Sequence, residues 1–164
     1  MTQQTTIELF KEDMKFSAGH FTILSPTRRE RLHGHNFRTY AAITSMIPDD
    51  GIVFDYGIYK KKLQSLCTEW NEIFLIPAKS PYVRIETEGE HLYVHFAEDR
   101  IPFLRKDVLL LPIANITVEE LAQLMLTRLT EAIRPEDRAV ITRVEVKIFS
   151  GPGQSASARW SADA

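Results

Sequence analysis

Two stretches near the N-terminus are patterned for strands. Thr6–Phe16 is rich in strand-favouring side chains, and Phe37–Ile47 alternates through Tyr40, Ala42 and Thr44. The polar loop TILSPTRRER lies between them. After the turn PDDG the period changes. Tyr59, Leu63, Leu66, Cys67 and Trp70 recur at intervals of three and four, Asp55 stands where a helix needs a cap, and Lys60, Lys61 and Lys62 fall on the wet face. Residues 82–103 return to alternation: Leu92, Val94 and Phe96 point one way, His91, Tyr93 and His95 the other, predicting a hairpin that turns at EGE. Thr117 and Glu120 form a reciprocal capping box ahead of Val118, Leu121, Ala122, Met125, Leu129 and Ile133, an apolar helix face that ends before Pro135. Finally Ala139–Phe149 alternates as a strand until SGPGQS breaks it. Strands, helix, hairpin, helix and strand in that order predict an α+β fold on a mostly antiparallel sheet.

At 164 residues, with no repeat, low-complexity tract or linker, the chain is expected to form one domain over residues 1–164. Hydrophobic residues at 44% and charged residues at 26% are the balance of a soluble globular protein. A formal charge of -2 argues against nucleic acid as a partner, because that binding rests on lysine and arginine neutralising phosphates. The N-terminal residues lack a basic segment followed by an apolar core, so neither a signal peptide nor a membrane span is read there and a cytoplasmic location is expected. The single cysteine, Cys67, cannot form an internal disulfide or a thiolate metal cluster. Any metal site must be built from histidine and carboxylate.

The segment RERLHGHNF supplies candidates. If it is extended, His33 and His35 project from one face with Gly34 leaving room behind them, whereas a helix would splay them apart. Zinc accepts neutral imidazole at ~2.0–2.1 Å, and catalytic zinc commonly has three protein ligands with a fourth position open. His20, at the end of the preceding strand, completes such a set if the two strands are antiparallel neighbours. The alternative is that His33 and His35 are hydrogen-bonding loop residues and that His20 ends a strand. His91 and His95 have the same spacing logic but lie on the polar face of a hairpin, where a ligand role is the lesser expectation.

FSAGHF, LHGHNF, DDGIVFDYGIYKKKL and LLPIANITVEELA, in that order, resemble the 6-pyruvoyl-tetrahydropterin synthase family, including its 6-carboxy-tetrahydropterin synthase branch, over roughly Phe16 to Val146. The resemblance implies zinc on His20, His33 and His35. It implies the tunnelling fold, in which each subunit supplies a four-stranded antiparallel sheet and two helices, here with an inserted hairpin. It implies too that three subunits close a β-barrel and that two trimers stack as a homohexamer. Closure also removes exposed sheet edges. It implies a lyase acting on 7,8-dihydroneopterin triphosphate, with zinc acidifying neighbouring C–H and O–H groups.

The sequence departs from the family at three places. The family's cysteine shortly before the HGH segment is absent, its place falling near Arg29, while Glu30 stands three positions before His33. A branch with glutamate there is associated with 6-hydroxymethyl-dihydropterin, which makes Glu30 the candidate base against the bland reading of a solvent-facing carboxylate. The family's Asp-His pair after the first helix is replaced by Asn71 and Glu72. Asparagine cannot accept a proton; Glu72 serves as acid or base only if burial raises its pKa, and is otherwise a surface carboxylate. The glutamate that holds the pterin from the last strand is replaced by Ile148 and Phe149, with Glu145 out of phase, although Thr117 and Glu119 match the family's T-x-E element near the pterin. Loss of such a carboxylate costs ~2–4 kcal/mol of binding. Arg28, Arg29 and Arg31 could bind a triphosphate, but a solvated charge run is the preferred reading. Two functions stand: a zinc-dependent lyase of this family acting on that triphosphate or a related small polyol or carbonyl substrate, and a non-catalytic zinc-containing homologue serving as a ligand-binding or scaffold oligomer.

Overall fold

The computed structural model describes residues 3–162. Its strands are β1 (Gln3–Leu9), β2 (Lys15–His20), β3 (Ile23–Ser25), β4 (Arg28–Arg29), β5 (His33–Ile47), β6 (Ile73–Pro77), β7 (Val83–Glu88), β8 (His91–Phe96), β9 (Asp99–Leu104), β10 (Val108–Leu111), β11 (Ile141–Gly151) and β12 (Gln154–Ser161). The helices α1 (Tyr56–Glu69) and α2 (Val118–Glu131) follow β5 and β10. β5 is fifteen residues long and organises the main sheet, ordered β10-β6-β2-β5-β11-β12. β1 pairs antiparallel with the second half of β5, from Leu9 opposite Ala41 to Gln3 opposite Ile47, and β2 with the first half, from Lys15 opposite Arg38 to His20 opposite His33.

That arrangement corrects the expectation of one strand over Thr6–Phe16. The polar run Lys11–Asp13 makes a turn, closed by the Met14 N–H donating to the Lys11 carbonyl at 2.9 Å, and divides it in two. The four-position antiparallel layer (β1 with β2, then β5, β11 and β12) is extended by β6 and β10, which pair in parallel and were not expected. The segment after SGPGQS is also a strand: Pro152 and Gly153, the latter at φ +77, turn β11 back into β12. Gly and Pro there mark a hairpin, not the end of the sheet. β11 itself starts at Ile141, because Asp137–Ala139 forms a 3₁₀ turn. Residues 83–104 form three strands, not a hairpin. Beyond the expected turn after Glu88, a second turn at Ala97, with φ 48, adds β9 to β8. Within the loop TILSPTRRER, β3 and β4 make a small hairpin of their own.

Both helices begin as their sequences predict. The Asp55 carboxylate accepts the Gly57 N–H at 2.9 Å, and Thr117 Oγ1 accepts the Glu120 N–H at 3.3 Å. Among the described residues the return bond of a full capping box, from the Thr117 N–H to the Glu120 carboxylate, is not formed. Tyr59, Leu63, Leu66 and Cys67 of α1 and Leu121, Ala122, Met125 and Leu129 of α2 are buried in the core against one face of the main sheet. Cys67 is a core residue whose thiol meets Thr39 Oγ1 at 3.5 Å. A smaller core of Phe21, Ile23, Ile76, Leu92, Val94, Phe96 and Ile101 fixes the three-stranded sheet to the strand ends that carry the candidate site.

Candidate metal centre and active site

On β5 the core-facing residues run His33, His35, Phe37, Thr39, Ala41 and Ile43; on β2 they run Phe16, Ala18 and His20. The period of two thus places three imidazoles at the ends of two buried rows. Register brings them together, since His20 lies directly opposite His33 and Ala18 opposite His35. Beneath them the Phe16 and Phe37 rings stack at 4.9 Å between centroids, and Phe37 lies 5.8 Å from His20 and 5.5 Å from His35. Gly19 and Gly34 are opposite each other, between the His20–His33 and Ala18–His35 pairs. A Cβ at Gly34 would stand 3.0 Å from the Ala18 carbonyl oxygen, which is why this position takes glycine.

The hydrogen bonds of the rings prepare them for a metal. His20 is 5% exposed, and its Nδ1 lies 2.9 Å from the Ile116 carbonyl oxygen; because a carbonyl only accepts, Nδ1 carries the proton and Nε2 presents a lone pair. That Nε2 is buried with no hydrogen-bond partner among the described residues. His33 is held in the same way, its Nδ1 donating to the Arg31 carbonyl at 2.7 Å. A ligating imidazole ordinarily gives its second N–H to such an acceptor, fixing tautomer and ring direction. His33 Nε2 and His35 Nε2 lie 3.2 Å apart, matching the edge of about 3.3 Å that two nitrogens at ~2.0–2.1 Å from a tetrahedral zinc would span. All three ligand nitrogens lie within 4.8 Å of one another. An unpartnered buried Nε2 costs ~1–3 kcal/mol, a cost that a bound cation removes. Burial, more than any neighbouring charge, pushes the His20 pKa down and keeps the ring neutral, the form that coordinates. The residues present fit a zinc ion with an open position.

Glu30 faces this cluster. Its Oε2 stands 3.7 Å from His33 Nε2 and accepts the Thr22 N–H at 3.2 Å, while its own N–H donates to the Thr22 carbonyl at 2.9 Å. The Thr22 hydrogen bond, and after it the nearby His33 and His20, hold the Glu30 carboxyl below the usual carboxylate range. At neutral pH it is ionised.

Glu72 lies elsewhere. It is exposed at φ 56, its N–H donates to the Ser17 carbonyl at 2.7 Å, and it lines a cavity of about 460 Å3 with Gly34, His35, Asn36, Phe74 and Asp107. Asn71 accepts the Ser17 N–H at 2.8 Å. Thr117 caps α2, and Glu119 is exposed in its first turn. Thr117 adjoins Ile116, whose carbonyl orients His20. On β11 Ile148 is fully buried in the core, Phe149 has the opposite face, and the Glu145 carboxylate is taken by Arg159 at 3.2 Å and Lys147 at 3.6 Å. His95 bonds to Glu86 at 2.6 Å, away from the triad. Arg28 and Arg31 are exposed, but Arg29 is bound to Asp99 at 2.6 Å, so the expected solvated run holds for two of the three.

Sequence reasoning missed Asn115. Its Oδ1 accepts the Ile23 N–H at 3.0 Å and its Nδ2 donates to the Ile23 carbonyl at 2.8 Å, tying the segment that orients His20 to the hairpin that leads to Glu30. The available signal was an amide side chain inside the otherwise apolar run PIANI, where it needs partners.

The chain is 27% identical over 147 residues to a candidate 6-carboxy-5,6,7,8-tetrahydropterin synthase of Methanocaldococcus jannaschii, covering 89% of this chain and 90% of that one. Its fold matches a Plasmodium vivax 6-pyruvoyl tetrahydropterin synthase at a TM-score of 0.89 and 24% identity, over 97% of this chain and 99% of the other. A variant of the P. vivax enzyme in which a glutamate described as a catalytic residue is replaced by alanine matches at 0.90, with the same identity and coverage. The family model for 6-pyruvoyl tetrahydropterin synthase matches residues 8–160. With a tri-histidine centre between strands of the family's fold and a match over nearly its whole length, the chain belongs to the 6-pyruvoyl tetrahydropterin synthase family.

Proposed function

We propose that the protein is a zinc-dependent lyase of pterin-synthase type, acting on 7,8-dihydroneopterin triphosphate or a related small polyol or carbonyl substrate, with Glu30 as its base. The observation that carries this reading is the Glu30 carboxylate standing 3.7 Å from the Nε2 of a candidate ligand, His33. His20, His33 and His35 would hold the zinc. Bound there, zinc would supply Lewis acidity toward a substrate hydroxyl or carbonyl oxygen. Glu30 takes a proton from the adjoining side-chain carbon or hydroxyl. Its Thr22 hydrogen bond keeps the carboxylate ionised and aimed, and Phe37 and Phe16 keep water from the floor of the site. A catalytic glutamate is also what the P. vivax relative is described as having. Thr117 with Glu119 is assigned the recognition of the substrate ring; Glu72 lines the cavity behind His35 but is exposed, so it lacks the burial that its acid–base role requires.

The branch that gives 6-hydroxymethyl-dihydropterin fits a glutamate in this place. With Ile148 in the core and Glu145 paired to cations, β11 offers no free carboxylate for a pterin among the described residues, which is why a related substrate stays within the proposal. A scaffold role has one observation in its favour: Asn71, where relatives carry an acid, serves the backbone at Ser17. Incubation of the zinc-loaded protein with dihydroneopterin triphosphate, followed by product analysis, separates the two. The lyase reading expects product from the wild type and ~10²–10⁴-fold less from Glu30→Gln; absence of both turnover and pterin binding in the wild type contradicts it for pterins.

A further inference from the structure

Glu30 follows directly on the hairpin of β3 and β4, a short and half-exposed element with little core of its own. What holds it comes from the separate three-stranded sheet. Arg29 Nη2 donates to Asp99 Oδ2 at 2.6 Å, and its Nη1 donates to the Glu30 backbone carbonyl at 2.9 Å. The guanidinium carbon lies 5.5 Å from the centre of the Phe21 ring, and the side chain is 19% exposed. Asp99 is the first residue of β9, opposite Phe96 in register, and Phe96 belongs to the small core with Phe21 and Ile23. A planar guanidinium with its donors in a rigid fork serves two acceptors in a fixed relation, which lysine cannot do. On its other side Glu30 is gripped by Thr22, through the bonds to its N–H and its carboxylate described above. Backbone amide, backbone carbonyl and carboxylate are therefore all engaged, and among the described residues the carbonyl is engaged only through Arg29.

Building on the reading of Glu30 as the base, we propose that Arg29 and Asp99 are positioning residues: through this pair the three-stranded sheet fixes where the Glu30 carboxylate stands relative to His33. Asp99 acts only by way of Arg29. Its carboxylate is 54% exposed, so its removal leaves the fold and the histidines in place and loosens one loop. The test needs a readout that does not depend on turnover, and the Thr22 amide provides one, because its proton is held by the Glu30 carboxylate itself.

In the full-length zinc-loaded protein, Asp99→Ala is expected to speed hydrogen exchange at the Thr22 amide by about threefold or more, with β5 amides and zinc content unchanged. With dihydroneopterin triphosphate, kcat should fall about fivefold while KM moves less than twofold. Adding Asp99→Ala to Arg29→Met should cost nothing further, and Asp99→Glu should recover part of the loss. Unchanged exchange at Thr22, or fully additive losses in the double variant, overturns the proposal. Undiminished turnover in Glu30→Gln would instead remove the reading of Glu30 as base, and Thr22 exchange would still decide whether the clamp exists. If Glu30→Gln is inactive while Asp99→Ala is as active and as protected as wild type, only the clamp is wrong.

Discussion

Gly34 illustrates how much of the site depends on single atoms. Its missing Cβ lets β2 and β5 approach with His20 opposite His33, and Gly34→Ala would put that atom 3.0 Å from the Ala18 carbonyl, on backbone that has little freedom to yield. We expect a stability loss of about 1 kcal/mol and roughly tenfold weaker zinc retention against a competing chelator, because strands pushed apart by tenths of an ångström carry their imidazoles with them. Retention equal to wild type would show that the ring geometry does not depend on this close approach. At Glu30 charge and geometry separate cleanly. Glu30→Gln keeps the shape and the acceptor for Thr22 but cannot take a proton, so one zinc per chain should remain while turnover falls as stated above. Loss of the metal in that variant would make Glu30 a structural partner of His33 instead of a base.

The elements that the sequence made legible are those with a full period to read. α1 and α2 each show several turns of apolar residues and an oxygen-bearing cap, and both begin where expected. β6 and β10, read as IFLIP and VLLL, are short continuous apolar runs with no alternation, which periodicity cannot assign to strand or helix. β12, QSASARWS, buries little beyond Ala158 and is placed by its hairpin with β11 instead of by hydrophobicity. Of the site, the three histidines were legible because a strand's period of two fixes their direction; Asn115, Thr22 and Asp99 were not, because their partners are remote in sequence or lie on the backbone.

A further long-range tie joins α1 to the segment that follows α2. The Tyr59 hydroxyl of α1 donates to the buried Asp137 carboxylate, which also accepts Arg134 Nε–H at 2.8 Å and Nη2–H at 3.0 Å. Arg134 foremost, and Tyr59 with it, hold the Asp137 carboxyl below the usual carboxylate range, so its contribution to stability is present above pH 3.8 and is lost as acid titrates it below that value. Burial first, and then Asp137, push the Tyr59 pKa up to about 12; that contribution is present below pH 10 and is lost between pH 10 and about 12. Tyr59→Phe should cost about 1.5–3 kcal/mol in denaturant unfolding at pH 7 and flatten the alkaline fall. An unchanged alkaline profile would mean that the tyrosine does not titrate with unfolding.

On the scale of the whole molecule, the main sheet has open outer edges at β10, β12 and β1, none of which pairs further among the described residues. Leu110 on β10 is 42% exposed, and no helix of the described residues is long and apolar enough to cross a membrane. Open edges are ordinarily covered, and the assembly we propose is closure of the sheets of three chains into a barrel, with two such trimers stacked. Native mass spectrometry should find six chains, or three, and a monomer at micromolar concentration would contradict it. Such an assembly would place a ring of metal centres at equivalent positions, each with its own Glu30. The most direct test of that centre is X-ray absorption at the zinc edge on purified, zinc-supplied protein with metal counted per chain. The account predicts one zinc per chain with three imidazole nitrogens at ~2.0–2.1 Å and one exchangeable oxygen; no stoichiometric zinc, or a fourth ligand supplied by the protein itself, would contradict it.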